Sequence, residues 1–405
     1  MQGSQRPPPS GDTPQAKRFI VAKIRIFGLM LVVALVGLFT GAAKAQILVG
    51  RCGAGTQYLT IQAAVNAASS GSVIKICPGN YLEQVVIEKP LTLEGIISQG
   101  VEGVLIQPPA KGLVTNDLTW AAQLLVKNTS GVTLSNLIVD AAANPPACLS
   151  PALIGIVFHN ASGTVNKTAV RNQASNGSGV CSGVGFLATV DNQQAQTVTL
   201  ENSDFRNIFY TPIYAVGPGL TMNTLNNYVA GADNVPAGAT GISYQSGAAG
   251  TIQGNTVANQ NTPTANLPTL AAQGIDVVCA SATVSGNTVV NTQVGILVGC
   301  PQGNNLQGNS TVTMNKIFET HKFDGIYVYS GVNSITKNSI VGAGASGIHL
   351  DTTQGSVNNV VSGNTVTESC AGILTTGTGS NKVSGNTFNA LYVPTLNAAT
   401  CGPIF

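Results

Sequence analysis

Charged and aromatic residues are scarce in this sequence. Asp, Glu, Lys and Arg make up only 8% of its 405 residues, against about 25% in a typical soluble domain. Aromatic residues make up 5%, with a single tryptophan. So few Glu and Lys residues exclude a coiled coil or a helical bundle, both of which are rich in them. Intrinsic disorder is excluded as well, because 43% of the residues are hydrophobic and such a chain can bury enough apolar surface to fold.

Basic residues are missing from long parts of the chain. Six of the 18 Lys and Arg residues, but only one of the 16 acidic residues, lie in the first 45 positions, so the remainder carries a net charge of −3. No basic residue lies between Arg206 and Lys316. The sequence therefore excludes a broad basic surface, and we expect no nucleic-acid partner.

Residues 1–45 have the pattern of a secretory signal peptide. A basic stretch precedes an apolar run from Phe27 to Phe39, and small residues follow up to Ala45. We predict cleavage after Ala45, which leaves a secreted, periplasmic or cell-surface protein without a membrane segment. The alternative is an uncleaved anchor, since residues 26–43 are 18 residues without charge, close to the shortest membrane span.

All of the eight cysteines follow this segment. They are Cys52, Cys77, Cys148, Cys181, Cys279, Cys300, Cys370 and Cys401. An even number of cysteines in an exported chain predicts disulfides. No CxxC motif occurs, which argues against a zinc site or a thiol-redox site. We expect no metal and no other cofactor.

Two short sequence elements alternate through the C-terminal half of the chain. The first is a strand pattern that ends in Asn, at Asn255, Asn287, Asn315, Asn338, Asn364 and Asn386. The second is Gly followed by alternating apolar residues, starting at Gly241, Gly274, Gly295, Gly325, Gly347 and Gly372. A fixed order with irregular spacing is typical of a solenoid with loop insertions.

Each strand pattern is too short to bury its apolar side alone. Stacking on the same strand of the next repeat, about 4.8 Å away, buries that side. The pattern therefore predicts an all-β fold, a single-stranded parallel β-helix. The repeated asparagines fit its sharp bends, because Asn tolerates the left-handed backbone conformation. Their side-chain amides can also bond to one another from coil to coil.

The repeats resemble the right-handed parallel β-helix superfamily of pectate lyases, pectin methylesterases and polygalacturonases. The N-terminal residues 58–65, 78–83 and 89–95 are similar to the opening of pectin methylesterase-like and copper-enzyme maturation β-helix proteins. The resemblance implies one right-handed β-helix domain over residues 46–405, with roughly a dozen coils between about residues 70 and 395. We expect this domain to be a monomer.

A short amphipathic helix precedes the first coil. Thr60 can cap a helix that ends at Gly71, with an apolar face of Ile61, Ala64, Val65 and Ala68. Residues 46–70 would then form an N-terminal cap over the open end of the solenoid.

The repeats also predict which cysteines pair. Cys279 and Cys300 each lie five residues after the Gly that opens their repeat. Stacking then places them about 4.8 Å apart, within the range of a disulfide. For the other cysteines we predict sequential pairing, as Cys52–Cys77, Cys148–Cys181 and Cys370–Cys401.

Aligning the repeats on their Gly-Ile element brings one group of polar side chains together on the outer surface. Tyr327 lies beside His349 and Tyr329 beside Asp351, and the loop before Tyr327 adds further polar residues. We predict Tyr327, His349, Asp351, Asp324 and Lys322 as catalytic residues, and Tyr329 and His321 as substrate-binding residues.

In the sugar-processing members of the superfamily, the substrate groove lies over the corresponding strand, which implies a polysaccharide partner. A Tyr or His near a Lys could abstract a proton from a uronic acid carbon, as a lyase or epimerase requires. Alternatively, Asp324 and Asp351 could act as acid and base in glycoside hydrolysis. The third possibility is a non-catalytic surface protein that binds a partner or displays a long face.

Several family signatures are missing from the sequence. It lacks the Gly-His-Gly and paired Asp of polygalacturonases, the Phe-Ile-Phe signature of pectin methylesterases and the calcium-binding Asp cluster of pectate lyases. Its three His residues are too few to favour a copper site. We expect one of them, His159, to be a solvated surface residue.

Overall fold

The computed structural model describes residues 46–53, 57–98, 103–142, 152–173, 183–231, 235–262, 268–300, 308–389 and 393–396. Met1–Lys44 and Ala45–Phe405 form separate units, and the predicted signal peptide with its cleavage site lies outside the described residues. Across the residues that are described, no helix is both long and apolar enough to cross a membrane.

The described strands form three sheets, and each coil contributes one strand to sheet 1, then to sheet 2, then to sheet 3. Sheet 1 consists of the 13 strands Gln46–Val49, Val73–Ile76, Thr92–Gly95, Val132–Ser135, Gly163–Asn166, Gln196–Glu201, Leu220–Leu225, Ala249–Gln253, Ser281–Ser285, Thr311–Thr313, Ser334–Thr336, Val360–Ser362 and Lys382–Ser384. Sheet 2 consists of the 12 strands Gly79–Leu82, Val104–Gln107, Leu137–Asp140, Ala169–Arg171, Asp204–Ile208, Tyr228–Gly231, Thr256–Gln260, Thr288–Thr292, Lys316–Thr320, Ser339–Ala343, Thr365–Thr367 and Thr387–Asn389. Sheet 3 consists of the 12 strands Val85–Ile87, Trp120–Lys127, Ala152–His159, Gly183–Thr189, Thr211–Val216, Thr240–Gln245, Gln273–Val278, Val294–Gly299, Ile326–Val328, Ser346–Asp351, Ala371–Thr376 and Val393–Leu396.

Every strand pairs in parallel with the equivalent strand of the next coil, as in the register of Ile275 with Ile296 and of Ile326 with Ile348. The inward side chains of the three sheets form one continuous apolar core, which runs from Ile47 to Ile373. The predicted parallel β-helix of about a dozen coils is therefore confirmed.

A ladder of asparagines, all buried except the partly exposed Asn386, follows the corner between sheet 1 and sheet 2. It consists of Asn227, Asn255, Asn287, Asn315, Asn338, Asn364 and Asn386. In a typical rung, Nδ2 of Asn315 donates to Oδ1 of Asn338 and to the carbonyl of Val284, each over 2.9 Å. The backbone N–H of Asn315 donates to the same Oδ1 over 3.0 Å. The predicted stacking of the amides is thus confirmed.

The backbone role predicted for these asparagines is wrong. The left-handed conformation belongs to the residue before each rung, as in Met314 (φ 56°), Lys337 (φ 56°) and Gly363 (φ 67°). Other asparagines do take this conformation, such as Asn226 directly before the first rung, and Asn259 and Asn291 near the opposite end of the sheet 2 strands. The rung positions instead need Asn because its amide both donates and accepts hydrogen bonds.

The N-terminal segment forms the predicted helix, at Ile61–Ala67, with the side chain of Thr60 accepting the N–H of Ala63. The helix ends at Ala67 rather than at Gly71, and Glu83 accepts the first two N–H groups of the helix. The strand Gln46–Val49 already pairs with Val73–Ile76, so sheet 1 begins within the segment 46–70 that was predicted to form only a cap.

Two of the predicted disulfides are confirmed. Cys52 is bonded to Cys77, and Cys279 to Cys300, with Cα atoms 5.6 and 4.4 Å apart. The second pair follows two strands in register, as the repeat alignment predicted. Cys370 is also disulfide-bonded. The pairings Cys148–Cys181 and Cys370–Cys401 stay predictions, since Cys148, Cys181 and Cys401 lie outside the described residues.

Replacing one rung tests the contribution of the asparagine ladder. In Asn315→Ala the buried N–H of Asn287 loses its acceptor, and an unpaired buried group costs about 1–3 kcal/mol. Because the adjoining amide of Asn287 also loses its partner, we expect the free energy of unfolding to fall by about 3 kcal/mol. Asn80→Ala, at an exposed position of sheet 2, should change it by less than about 0.5 kcal/mol. Equal changes in urea unfolding would contradict the role of the ladder.

Removing the disulfide between Cys279 and Cys300 tests whether it stabilises the coils. The bond closes a loop with a sequence separation of 21, for which chain entropy predicts about 3 kcal/mol. We expect the double variant Cys279→Ala/Cys300→Ala to unfold at a lower urea concentration by that amount. Each single variant should lose as much as the double variant, and an unchanged midpoint would show that the bond does not contribute.

Candidate functional site

The outer face of sheet 3, formed by the side chains of its strands that point away from the core, carries the predicted cluster. Its central row has the predicted register, from Asp276 through Leu297, Tyr327 and His349 to Leu374. Tyr327 and His349 are 22 positions apart in the sequence, yet their rings lie 4.9 Å apart. The repeat alignment therefore placed these two side chains correctly.

His349 is held from one side by the buried carboxylate of Asp324, which is 2% exposed. Oδ2 of Asp324 lies 3.1 Å from Nδ1 of His349. Oδ1 accepts the backbone N–H of Ser346 over 3.0 Å and its hydroxyl over 2.5 Å. A carboxylate fixed in this way orients an imidazole ring.

On its other side, His349 contacts Thr376 of the next coil, which is hydrogen-bonded to Asp351 of the same strand as His349. Its Nε2 lies 3.2 Å from Oγ1 of Thr376, and the Thr376 hydroxyl donates to Oδ1 of Asp351 over 3.1 Å. The hydroxyl of Tyr327 donates to Oδ2 of Asp351 over 2.7 Å. Asp324, Tyr327, His349, Asp351 and Thr376 thus form one network on three successive coils.

The environment of this network shifts the pKa values of Tyr327 and Asp351 in opposite directions. Burial raises the pKa of Tyr327 well above its usual value, and the adjacent carboxylate of Asp351 raises it further. Burial alone would raise the pKa of Asp351, but hydrogen bonds from Thr353, Tyr327 and Thr376 outweigh it and hold the pKa below its usual value. At neutral pH Asp351 is therefore an anion and Tyr327 a neutral phenol.

An ionised carboxylate only accepts hydrogen bonds, so the hydroxyl of Thr376 donates to Asp351. Nε2 of His349 faces the oxygen of that hydroxyl, and Nδ1 faces the carboxylate of Asp324. An imidazole ring held in this way can act as a proton donor to a bound molecule. Tyr327, by contrast, is a poor base.

Asp351 also has a local structural role that the sequence interpretation missed. It caps the 3₁₀ turn Thr352–Gln354, where its Oδ1 accepts the N–H of Thr353 over 3.1 Å. The carboxylate of Asp351 thus accepts hydrogen bonds from Thr353, Tyr327 and Thr376. It is therefore better suited to hold these neighbours in place than to attack a substrate.

The other predicted site residues lie around this network. We expected Tyr329 to lie beside Asp351. Its hydroxyl instead donates to Oε1 of Gln354 over 3.2 Å, and the hydroxyl that donates to Asp351 is that of Tyr327. Asp324 lies in the connection just before the strand of Tyr327 and, as described above, holds His349. Lys322 is exposed, with its ammonium 5.4 Å from the ring of Phe323. His321 is also exposed and contacts Asn291, at the end of a sheet 2 strand.

A second histidine cluster lies on the same outer face, near the N-terminal end. His159 is 7% exposed, so the expectation of a solvated surface residue is wrong. Its Nδ1 lies 2.5 Å from Oδ2 of Asp117, and its Nε2 lies 2.9 Å from Oδ2 of Asp191. Asn160 and His159 hold the pKa of Asp191 below its usual value through hydrogen bonds. His159 thereby links a connection of the coil before its own to a connection of the coil after it.

Removing this histidine tests its stabilising role. In His159→Leu the carboxylate of Asp117, which is 13% exposed, loses its partner, and breaking a buried pair costs about 3–5 kcal/mol. We expect the free energy of unfolding to fall by about 3 kcal/mol, because the other carboxylate is solvated. His321→Leu, at an exposed position, serves as the control and should change little. The interpretation fails if both variants unfold at the same urea concentration.

Solved structures of low sequence identity have the same fold. The GH136 lacto-N-biosidase from Eubacterium ramulus is 12% identical, with a TM-score of 0.56 over 93% of this chain and 72% of that chain. The alginate lyase from Paenibacillus sp. str. FPU-7 is 13% identical, with a TM-score of 0.50 over 69% of this chain and 91% of that chain. No curated protein matches this chain in sequence.

A family model described as "Periplasmic copper-binding protein (NosD)" matches residues 195–397. The described part of the chain does not fit a copper site, because it contains no group of three His, Cys, Asp or Glu residues that could hold a metal ion. His159, His321 and His349 lie in separate surroundings, and Cys52, Cys77, Cys279, Cys300 and Cys370 are in disulfides. Copper is therefore assigned to none of these residues. Since the family model spans half of the 405 residues, the chain belongs to the NosD family of β-helix proteins.

Proposed function

We propose that this chain is an exported glycoside hydrolase that acts on a neutral polysaccharide, with His349 as its proton donor. The observation that carries the proposal is the hydrogen-bonded series from Asp324 through His349 to Thr376. It gives His349 a fixed ring and a transferable proton on an outer face. Export is supported by the disulfides, which persist in oxidising compartments, and by the signal pattern of residues 1–45.

A polysaccharide is supported as the substrate class by the fold. The two similar solved structures are a lacto-N-biosidase and an alginate lyase. A fold alone does not determine an activity, so the choice between hydrolysis and elimination depends on the groups of the site.

The charges of the outer face favour a neutral sugar over the uronic acid that was one expectation from the sequence. Among the described strands of sheet 3, Lys127 is the only lysine and no arginine occurs. The site itself contributes the carboxylates of Asp324 and Asp351. Both carboxylates disfavour the binding of an anionic polymer at this site. The raised pKa of Tyr327 also disfavours this residue as the base of a lyase or epimerase.

In the proposed reaction a sugar takes the place of Thr376 at Nε2 of His349. The Nε2 proton passes to the glycosidic oxygen, and the bond from that oxygen to the anomeric carbon breaks. Water then adds to that carbon, and the proton that the water loses returns to Nε2 of His349. Asp324 holds the ring through Nδ1. Asp351 anchors Tyr327 and Thr376, and its negative charge favours the cationic transition state.

A non-catalytic, glycan-binding surface protein is the second candidate. It is favoured by the completeness of the network, in which Asp324, Tyr327, His349 and Asp351 all have partners within the chain. Such a network also stabilises a fold without any chemistry.

Turnover of neutral polysaccharides by the exported form distinguishes these candidates. The release of reducing ends is measured on a panel of neutral and uronic-acid polymers. We expect product from a neutral polymer, and His349→Ala should lower kcat by about 10²–10⁴-fold, the usual contribution of a general acid. His321→Ala, which alters an exposed histidine outside the network, should keep full activity.

Circular dichroism and thermal unfolding show whether each variant is folded. Binding of neutral polymers without any product would support the non-catalytic candidate. Absorbance of unsaturated products from uronic-acid polymers would contradict the proposal in favour of a lyase.

A further inference from the structure

The single tryptophan of the chain, Trp120, begins the second strand of sheet 3 and is partly exposed. Its side chain packs against a buried cluster that includes Leu125 and Val157, and these two residues belong to the same outward row as Tyr327. The indole ring lies 5.5 Å from the ring of His159, with the two planes 75° apart. The indole is therefore held in one orientation while part of its surface stays accessible.

Asp191 places an exposed carboxylate beside the same histidine. Its Oδ2 lies 2.9 Å from Nε2 of His159, and its Oδ1 accepts from Nδ2 of Asn160 over 2.6 Å. The hydrogen bonds from Asn160 and His159 hold the pKa of Asp191 below its usual value, so the carboxylate is ionised at neutral pH. The side chain of Asp191 is nevertheless 58% exposed. Because each carboxylate oxygen accepts more than one hydrogen bond, Asp191 can also accept from the hydroxyl of a bound molecule.

Trp120 and Asp191 match the two kinds of surface that a neutral sugar presents. The C–H groups on one face of a sugar ring are apolar and pack against an aromatic ring. The hydroxyls at its edge donate hydrogen bonds to a carboxylate, and such bonds to a charged acceptor are strong. The negative charge of Asp191 disfavours an anionic sugar. Asp117 contacts Nδ1 of His159 over 2.5 Å, so the ring that contacts both Trp120 and Asp191 is itself fixed.

We propose that Trp120 and Asp191 form a subsite that binds one unit of the neutral polysaccharide, remote from His349. This inference rests on the proposed function and adds to it a preference for long substrates. The strand of His159 lies seven coils before that of His349, or about 34 Å at about 4.8 Å for each coil. A polymer held at the subsite keeps its other units close to His349, which raises their effective concentration there.

The tryptophan fluorescence of the exported chain reports on this subsite alone, because Trp120 is the only tryptophan. A soluble β-glucan, a mannan and an arabinan serve as neutral probes. We expect at least one of them to change the emission in a saturable way. His349→Ala should keep this change, because the subsite binds its sugar without the proton donor. The subsite is contradicted if none of the probes changes the emission.

Replacing Asp191 tests the hydrogen-bonding part of the subsite. Because the carboxylate of Asp191 is mostly solvated, Asp191→Ala should remain folded. We expect it to bind the probe about tenfold more weakly, the usual effect of one hydrogen bond. Asp204→Ala removes an exposed carboxylate from sheet 2 and should bind the probe like the wild type. Equal affinities of the two variants would show that Asp191 does not contact the sugar.

Calorimetry extends the test to Trp120, whose replacement removes the fluorescence. Trp120→Ala should bind the same probe about tenfold more weakly, whereas Trp120→Phe keeps an aromatic ring and should restore most of the affinity. Tyr228→Ala, which removes an exposed aromatic ring from sheet 2, is the matched control. Circular dichroism shows whether each variant is folded.

Binding and turnover together separate the two proposals. If the wild type binds the probe without turnover and both Trp120→Ala and Asp191→Ala weaken binding, the subsite is supported although the hydrolase proposal fails. If the probe is cleaved, the same two variants should raise KM more for long chains than for short ones. If His349→Ala abolishes turnover while both variants bind and cleave long chains like the wild type, the subsite is contradicted and the hydrolase proposal stands.

Discussion

The structure depends on the hydrogen bonding of each coil to the next. A strand of three to six residues cannot stand alone, and the backbone groups at each corner would be buried without partners. The asparagine ladder meets this constraint, because each amide, like that of Asn315, bonds to the coil before and the coil after it. The ladder thereby fixes the register in which the inward residues form one core.

The same register creates the candidate site. Once the corners are fixed, the outward residues of successive coils must stack in rows, so that Tyr327 and His349 become neighbours. A polar network on such rows is rigid, because its members lie on paired strands rather than on independent loops. This rigidity lets Asp324 hold one edge of the His349 ring while Thr376 contacts the other.

The sequence predicted the parts of the structure that repeat. The Gly-Ile alignment was sufficient to place Tyr327 beside His349 and Cys279 beside Cys300, because each pair occupies one position of successive coils. The alignment did not predict contacts between side chains of different rows. It is Tyr327, rather than Tyr329, that donates a hydrogen bond to Asp351, and the role of Thr376 was not recognised. The sequence interpretation also assigned the left-handed conformation to the asparagines, although residues such as Met314 carry it. The partners of His159 come from connections outside the repeat, at Asp117 and Asp191, which no periodicity could place.

The central claim is that a neutral sugar binds the outer face of sheet 3 at His349. The most direct measurement is the nitrogen NMR spectrum of the three histidine rings in the exported chain, with and without a neutral oligosaccharide. The account predicts that the resonances of the His349 ring nitrogens move when the sugar is added, while those of the exposed His321 stay in place. A sugar that binds without moving the His349 resonances would contradict it.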